Sequence, residues 1–116
     1  MSQEKIFAMP FSKIYPLLIA KAERKGRSRD EVDLVTCWLT GYTSQDLSCF
    51  METEISYKTF FEQAPMLNEN RHLIKGSVCG VKLAEIEDPL MLEIRYLDKL
   101  VDELTKGKSL DKILRK

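Results

Sequence analysis

The feature that most constrains the fold is a long amphipathic segment that begins at Asp88. Asp88 is a good helix N-cap, and Pro89 has the fixed backbone angle that suits the first helical position. Gly107 is a natural helix end. Between them, apolar residues recur at alternating steps of four and three, the spacing of one helix face: Leu90, Ile94, Leu97, Val101 and Leu104. The pattern predicts a long helix that packs into a core.

Four further helices are predicted upstream from their capping signals. Ser12 begins a helix that extends to about Lys25. Residues 28–31 form a capping box, Ser-Arg-Asp-Glu, which opens a second helix that ends at Gly41. A third begins at Thr43 or Ser44, and a fourth covers residues 56–64. The short spacing between these signals favours a helical assembly around one core.

The remaining segments complete the predicted architecture. Residues 5–11 are apolar and contain Pro10, so we expect an extended lead-in or a short strand there. Leu73-Ile74 and Val81-Lys82-Leu83 flank a stretch with two glycines, which favours a β-hairpin. A last turn or two of helix begins at Ser109. We predict a mainly α fold, a single domain of about five to six helices over residues 1–116, with a short two-stranded β-hairpin near residues 72–84.

The composition is typical of a globular domain. The chain has 116 residues, of which 44% are apolar and 31% are charged, and its formal net charge is zero. No apolar run approaches the roughly 20 residues that a transmembrane helix needs, and the N-terminus lacks the features of a signal peptide. We therefore expect a protein without a membrane partner.

The cysteines and the histidine argue against several kinds of site. The three cysteines, Cys37, Cys49 and Cys79, are odd in number and form no Cys-x-x-Cys pair, which favours free thiols in a reducing cytoplasm. With His72 as the only histidine, no ligand spacing indicates a metal site. No phosphate-binding or dinucleotide-binding glycine motif is present. We predict neither a metal nor a cofactor.

The chain resembles a family of small bacterial proteins of unknown function. The matching stretches extend over nearly the whole sequence: residues 5–7, 15–16, 20–27, 38–42, 70–71, 74, 76, 79–81, 87–91, 94–104 and 106–108. A charged residue usually precedes the tryptophan in this family, and Cys37 departs from that pattern, which argues against a functional role for Cys37. The resemblance implies no activity, substrate or cofactor.

Four residues are the candidates for a binding site: Arg71, His72, Cys79 and Arg95. Cys79 lies between glycines in the predicted loop, and a thiolate is reactive when a basic neighbour lowers its pKa. Arg71 and Lys75 are basic residues that could lower this pKa, and His72 lies seven residues before Cys79. The opposing interpretation is a small buried thiol in a tight turn, since free cysteine is among the most buried residue types.

Three classes of function remain open. The chain lacks a recognisable catalytic motif, so we favour a small cytoplasmic domain that acts by binding or protein association. A homodimer that shares the face of the long helix, Leu90, Ile94, Leu97, Val101 and Leu104, is one form of such association. The first alternative is a thiol-dependent enzyme that uses Cys79 with Arg71 or His72. The second is weak binding of nucleic acid or another anion by the basic residues 21–29, although a neutral chain disfavours nucleic acid.

Overall fold

The computed structural model describes residues 3–78 and 80–115, and the fold in that part of the chain is mainly α. Its seven α-helices are α1 (Gln3–Ala8), α2 (Phe11–Glu23), α3 (Arg29–Thr40), α4 (Ser44–Phe50), α5 (Tyr57–Glu62), α6 (Pro89–Thr105) and α7 (Leu110–Ile113). Two 3-10 turns, Glu69–Leu73 and Leu83–Glu85, flank a hairpin of β1 (Ser77–Val78) and β2 (Val81–Lys82). The predicted helical class and the hairpin are confirmed.

The side-chain caps that the sequence predicted are formed. The amide N–H of Glu31 donates to Ser28 Oγ at 3.3 Å, and the Ser28 N–H donates to Glu31 Oε1 at 3.1 Å, which completes the capping box of α3. At the start of α6, Asp88 Oδ1 accepts from the N–H groups of Leu90 and Met91 at 2.9 and 3.0 Å. These bonds satisfy donors that have no partner within a helix.

The N-terminal segment differs from the prediction, because residues 3–8 form helix α1 instead of an extended lead-in. This helix contacts α5, and its Ile6 and Phe7 side chains pack against the core. Pro10 pairs with Ser56 in an isolated bridge, and α2 begins at Phe11. The apolar pattern of a short helix is too brief to distinguish it from a strand, so tertiary packing decides between the two.

The hairpin is also shorter than predicted. Ser77 pairs with Lys82 and Val78 with Val81 in antiparallel register. Leu73 and Leu83, which the sequence placed in the strands, belong to the flanking 3-10 turns. Cys79 lies outside the described residues. The β1 strand contacts α6, which is the support that an isolated two-stranded hairpin requires.

Helix α6 lies at the centre of the fold and contacts α2, α3, α5 and α7. Ile94, Leu97, Val101 and Leu104 are at most 3% exposed, and Leu90 is half-buried. This face is therefore covered by the chain's own helices. The predicted homodimer cannot share Ile94, Leu97, Val101 or Leu104, because these four side chains are already removed from water in a single chain.

The C-terminal residues are held against α6 by an ion pair. Arg115 donates to both oxygens of Glu103 at 2.6 and 2.8 Å, and the Lys108 ammonium lies 3.2 Å from the same carboxylate. Glu103 is 6% exposed. Burial raises the pKa of Glu103, but the hydrogen bonds and charges of Arg115 and Lys108 outweigh it and hold the pKa below its usual range.

We expect Asp88→Ala to lower the free energy of unfolding by about 1 kcal/mol, because it removes the acceptor for two helix N–H groups. Urea denaturation at neutral pH measures this change. Glu87→Ala, at an exposed neighbouring carboxylate, is the matched control and should change stability by less than about half as much. Equal losses from the two substitutions would contradict the cap.

A second prediction concerns pH. Because the pKa of Glu103 is lowered in the folded state, its ion pair stabilises the fold above the unfolded-state pKa of about 4.3, and that stability is lost as pH falls through the folded pKa. Glu103→Gln should cost about 2 kcal/mol at pH 7 and progressively less towards pH 3. Urea unfolding across this range tests it, with Glu54→Gln, at an exposed carboxylate, as the control.

Candidate functional site

Arg71 and His72 lie next to each other on the first 3-10 turn, beside the N-terminal half of α6. Asn68 Oδ1 caps this turn by accepting from the Asn70 N–H at 2.9 Å. Arg71 Nε donates to Glu93 Oε1 at 2.9 Å, and its Nη1 donates to the Asn68 carbonyl at 2.9 Å. The Arg71 and Glu93 side chains are 17% and 13% exposed, so this ion pair fixes the turn to α6.

His72 contacts Tyr96 on the next turn of α6. The Tyr96 hydroxyl lies 3.4 Å from His72 Nδ1, and the two rings meet edge to face with centroids 6.3 Å apart. Burial, and secondarily the charge of Glu93, raises the pKa of Tyr96, so its hydroxyl keeps its proton at neutral pH. The contact joins His72 Nδ1 to the Tyr96 hydroxyl in either tautomer of the imidazole, so it orients the ring without assigning its proton.

A cavity of about 380 Å³ opens beside this pair, and we name it the basic cavity. Its polar groups are His72, Lys75 and Tyr96, and its apolar walls include Ile74, Leu83 and Leu92. The described residues that line it include no carboxylate. Four other cavities among the described residues each have at least one acidic residue in their lining.

A second ammonium group approaches the rim of the basic cavity. Gly76 lines the cavity with a backbone φ of +100°, a conformation that favours glycine. Lys99 Nζ lies 3.6 Å from the position that a Cβ at Gly76 would occupy. The Lys99 ammonium is 4.0 Å from Asp102, which is a long ion pair. The positive charge at this end of the cavity is therefore only partly compensated.

A second cavity of about 350 Å³ adjoins the basic cavity, because His72 and Leu92 line both. We name it the acidic cavity, since Glu62 and Glu93 contribute to its lining together with Arg71. Phe61, Leu67 and Leu90 supply apolar walls. Within the described residues, the second carboxylate oxygen of Glu93 has no hydrogen-bond partner.

Arg95 lies apart from Arg71 and His72. Its Nη1 donates to Asp98 Oδ2 at 3.1 Å, and its side chain lines a separate cavity of about 620 Å³ with Glu85, Glu87 and Asp88. Burial raises the pKa of Asp98, an effect that the Arg95 charge opposes. The structure thus brings two of the four predicted residues together and places Arg95 elsewhere on α6.

The cysteines give little support to thiol chemistry in the part of the chain that is described. Cys37 is half-buried, and burial, followed by the charges of Asp33 and Asp46, raises the pKa of its thiol. Cys49 is exposed. Cys79 lies outside the described residues, so its grouping with Arg71 or His72 remains a prediction.

The basic segment 21–29 is largely committed to internal ion pairs. Lys21 lies 3.9 Å from Asp102, and Arg29 lies 3.7 Å from Asp33. Arg27 binds the Glu31 carboxylate at 2.6 Å and also donates to the Lys108 carbonyl at 2.8 Å. These contacts join the α2–α3 turn to the end of α6 and reduce the charge available to an external anion.

The described residues show neither a cluster of metal ligands nor a membrane-spanning helix. Among residues 3–78 and 80–115, no group of three or more His, Cys, Asp or Glu side chains is arranged to hold a metal ion. No helix in these ranges has the length and apolar character needed to cross a bilayer.

The sequence pointed to Arg71 and His72 as site candidates and to Lys75 only as a basic neighbour of Cys79, and it did not indicate Glu93 or Tyr96. Glu93 and Tyr96 are three residues apart on α6, a spacing that places them on the same side of a helix. That spacing was the one available signal, and it did not identify the turn that they meet.

The structure predicts a clear order of thiol reactivity. In the native protein, Cys49 should react with a maleimide probe at least about tenfold faster than Cys37, because it is exposed while the Cys37 pKa is raised. Mass spectrometry of labelled peptides at pH 7 measures both rates, and labelling in urea gives the unfolded reference. Faster reaction at Cys37 would contradict this order, and rapid labelling of Cys79 at pH 6–7 would favour the thiol-enzyme alternative.

Comparison with known proteins places the chain in a family. Residues 5–115 match the model of DUF2200, described as an uncharacterized protein family conserved in bacteria. A crystal structure of uncharacterized protein SP1917 is similar, with 49% sequence identity, a TM-score of 0.92, and coverage of 98% of this chain and 93% of that one. No curated protein matches the chain. Neither similarity carries an assigned function, and the chain belongs to the bacterial DUF2200 family.

Proposed function

We propose that this chain is a single-domain binding protein that takes a small amphipathic organic anion in the basic cavity. The observation that carries the proposal is the lining of that cavity, in which Lys75 and His72 supply hydrogen-bond donors and the described lining residues include no carboxylate. Lys75 would attract the carboxylate of a ligand, and no like charge in the described lining would repel it.

The shape and the walls of the cavity suit such a ligand. A volume of about 380 Å³ lies within the range of small-molecule sites. Ile74, Leu83 and Leu92 offer apolar surface, so an aliphatic body gains free energy by leaving water. A few fixed polar groups then orient the charged end. This division between apolar walls and convergent donors is the usual chemistry of a ligand site.

Tyr96 has a positioning role in this proposal. In this proposal the imidazole takes the tautomer in which the Tyr96 hydroxyl donates to Nδ1, 3.4 Å away, and the Nε2–H of His72 donates to the ligand. Arg71 holds the turn that carries His72 by its ion pair with Glu93. The rigid helix α6 therefore orients a residue that belongs to a short turn.

We also propose that the protein acts in the cytoplasm. The support is the odd number of cysteines without a Cys-x-x-Cys pair, together with two described thiols that are free. Association through the apolar face of α6 has no support, since that face is buried in the chain's own core. Binding of nucleic acid has little support, because three of the cations in residues 21–29 already form ion pairs within the chain.

The single histidine makes a direct test possible. We expect octanoate to shift the imidazole NMR signals of His72, whereas octanol, with a similar chain and no charge, should bind at least about tenfold more weakly. Octylammonium, with the opposite charge, should produce no comparable shift. The two ions are titrated below their micelle concentrations and octanol below its solubility limit, all at pH 7.

Matched variants identify the group that binds the carboxylate. Lys75→Gln should weaken octanoate about fivefold to tenfold, because a charge-assisted hydrogen bond is lost. Lys58→Gln, at an exposed lysine of α5 that does not line the basic cavity, should leave the affinity unchanged. Unmoved His72 signals with octanoate, or equal affinity for all three compounds, would contradict the proposal.

A further inference from the structure

A cavity of opposite character neighbours the basic cavity. His72 and Leu92 line both the basic cavity and the acidic cavity, so these two side chains stand between them. The cavity volumes are about 380 and 350 Å³. Because the His72 side chain is exposed, an elongated ligand that crosses over its ring would occupy both cavities.

The charges of the acidic cavity do not cancel. Arg71 is bound to Glu93 Oε1 at 2.9 Å and to the Asn68 carbonyl, so its charge is compensated by Glu93. Glu62 is exposed and forms no ion pair among the described residues. The second oxygen of Glu93 is buried and has no hydrogen-bond partner among the described residues. Arg71, Glu93 and Glu62 together leave one net negative charge, which the exposed Glu62 carboxylate presents at this end.

We infer that the ligand is a zwitterion, with a carboxylate at the Lys75 end, a cationic nitrogen at the Glu62 end and an aliphatic chain between them. This inference rests on the proposed function, because it requires the carboxylate to bind in the basic cavity. Opposite charges at the two ends fix the direction in which the ligand lies. They also select against simple fatty acids, which bring no donor to the acidic cavity.

Whether an added ω-amino group raises or lowers the affinity of a fatty acid tests this ligand class. In a purely apolar cavity, an added ammonium group weakens binding because its charge must leave water. Near the unpaired carboxylate of Glu62, it instead gains a charge-assisted hydrogen bond. Adding an ω-amino group to a fatty acid should therefore strengthen binding only if the acidic cavity receives that end.

The experiment compares octanoate with 8-aminooctanoate, and dodecanoate with 12-aminododecanoate, by isothermal titration calorimetry. In at least one pair, we expect the amino compound to bind about fivefold more tightly. Glu62→Gln should abolish this preference and leave the affinity for the unsubstituted acid unchanged. Glu54→Gln, at an exposed carboxylate outside both cavities, should preserve the preference.

The two proposals fail differently. If the fatty acids bind but both amino compounds bind more weakly, the zwitterion inference is overturned and the anion site stands. If Glu62→Gln weakens the acid and its amino derivative equally, Glu62 does not recognise the amino group and the inference is also overturned. If none of the four compounds binds, the proposed function itself is wrong.

Discussion

Burial of the apolar face of α6 is the interaction on which the rest of the structure depends. Leu97, Leu100, Val101 and Leu104 are fully buried, and the helices packed on them come from both ends of the sequence. A short helix alone is marginal in water, so α2, α3 and α5 gain most of their stability from this shared contact. Glu93 and Tyr96 lie nearer the N-terminus of the same helix, each four residues before a buried leucine, Leu97 and Leu100, and so on the same side of it. Core and candidate site are therefore built on one element, and the orientation of the site follows from the packing of the core.

Local chemistry explains which parts of the fold could be predicted. Ser28 and Asp88 cap their helices through bonds within three residues, and Gly41 ends α3 at a φ of +83°. Such signals are contained in a short stretch of sequence. Helix α1 has no comparable signal, and its conformation depends on contacts with α5, about fifty residues away. The hairpin likewise packs against α6, and the alternation of residue types in the sequence did not predict its short strands.

The sequence predicted the residues of the candidate site on the 3-10 turn but not those on α6. Arg71 and His72 were predicted because they are basic residues that precede a glycine-bearing loop. Their partners on α6, Glu93 and Tyr96, lie 22 and 24 residues further along the chain. No periodicity links a 3-10 turn to a distant helix. Arg95 was grouped with them on chemical type alone. Two residues after Glu93, it projects to a different side of α6, since helix positions i and i+2 do not face each other.

The central position of α6 also bears on how the protein is made. Ribosomes release the N-terminal helices first, so α2 to α5 emerge before the helix that covers their apolar faces has been synthesised. The docking of Ile113 and Arg115 comes later still. The core therefore cannot be completed before α6 has been synthesised, and the nascent chain exposes apolar surface to chaperones until then. A fragment that ends within α6 would leave the apolar faces of the earlier helices uncovered and would be prone to aggregation.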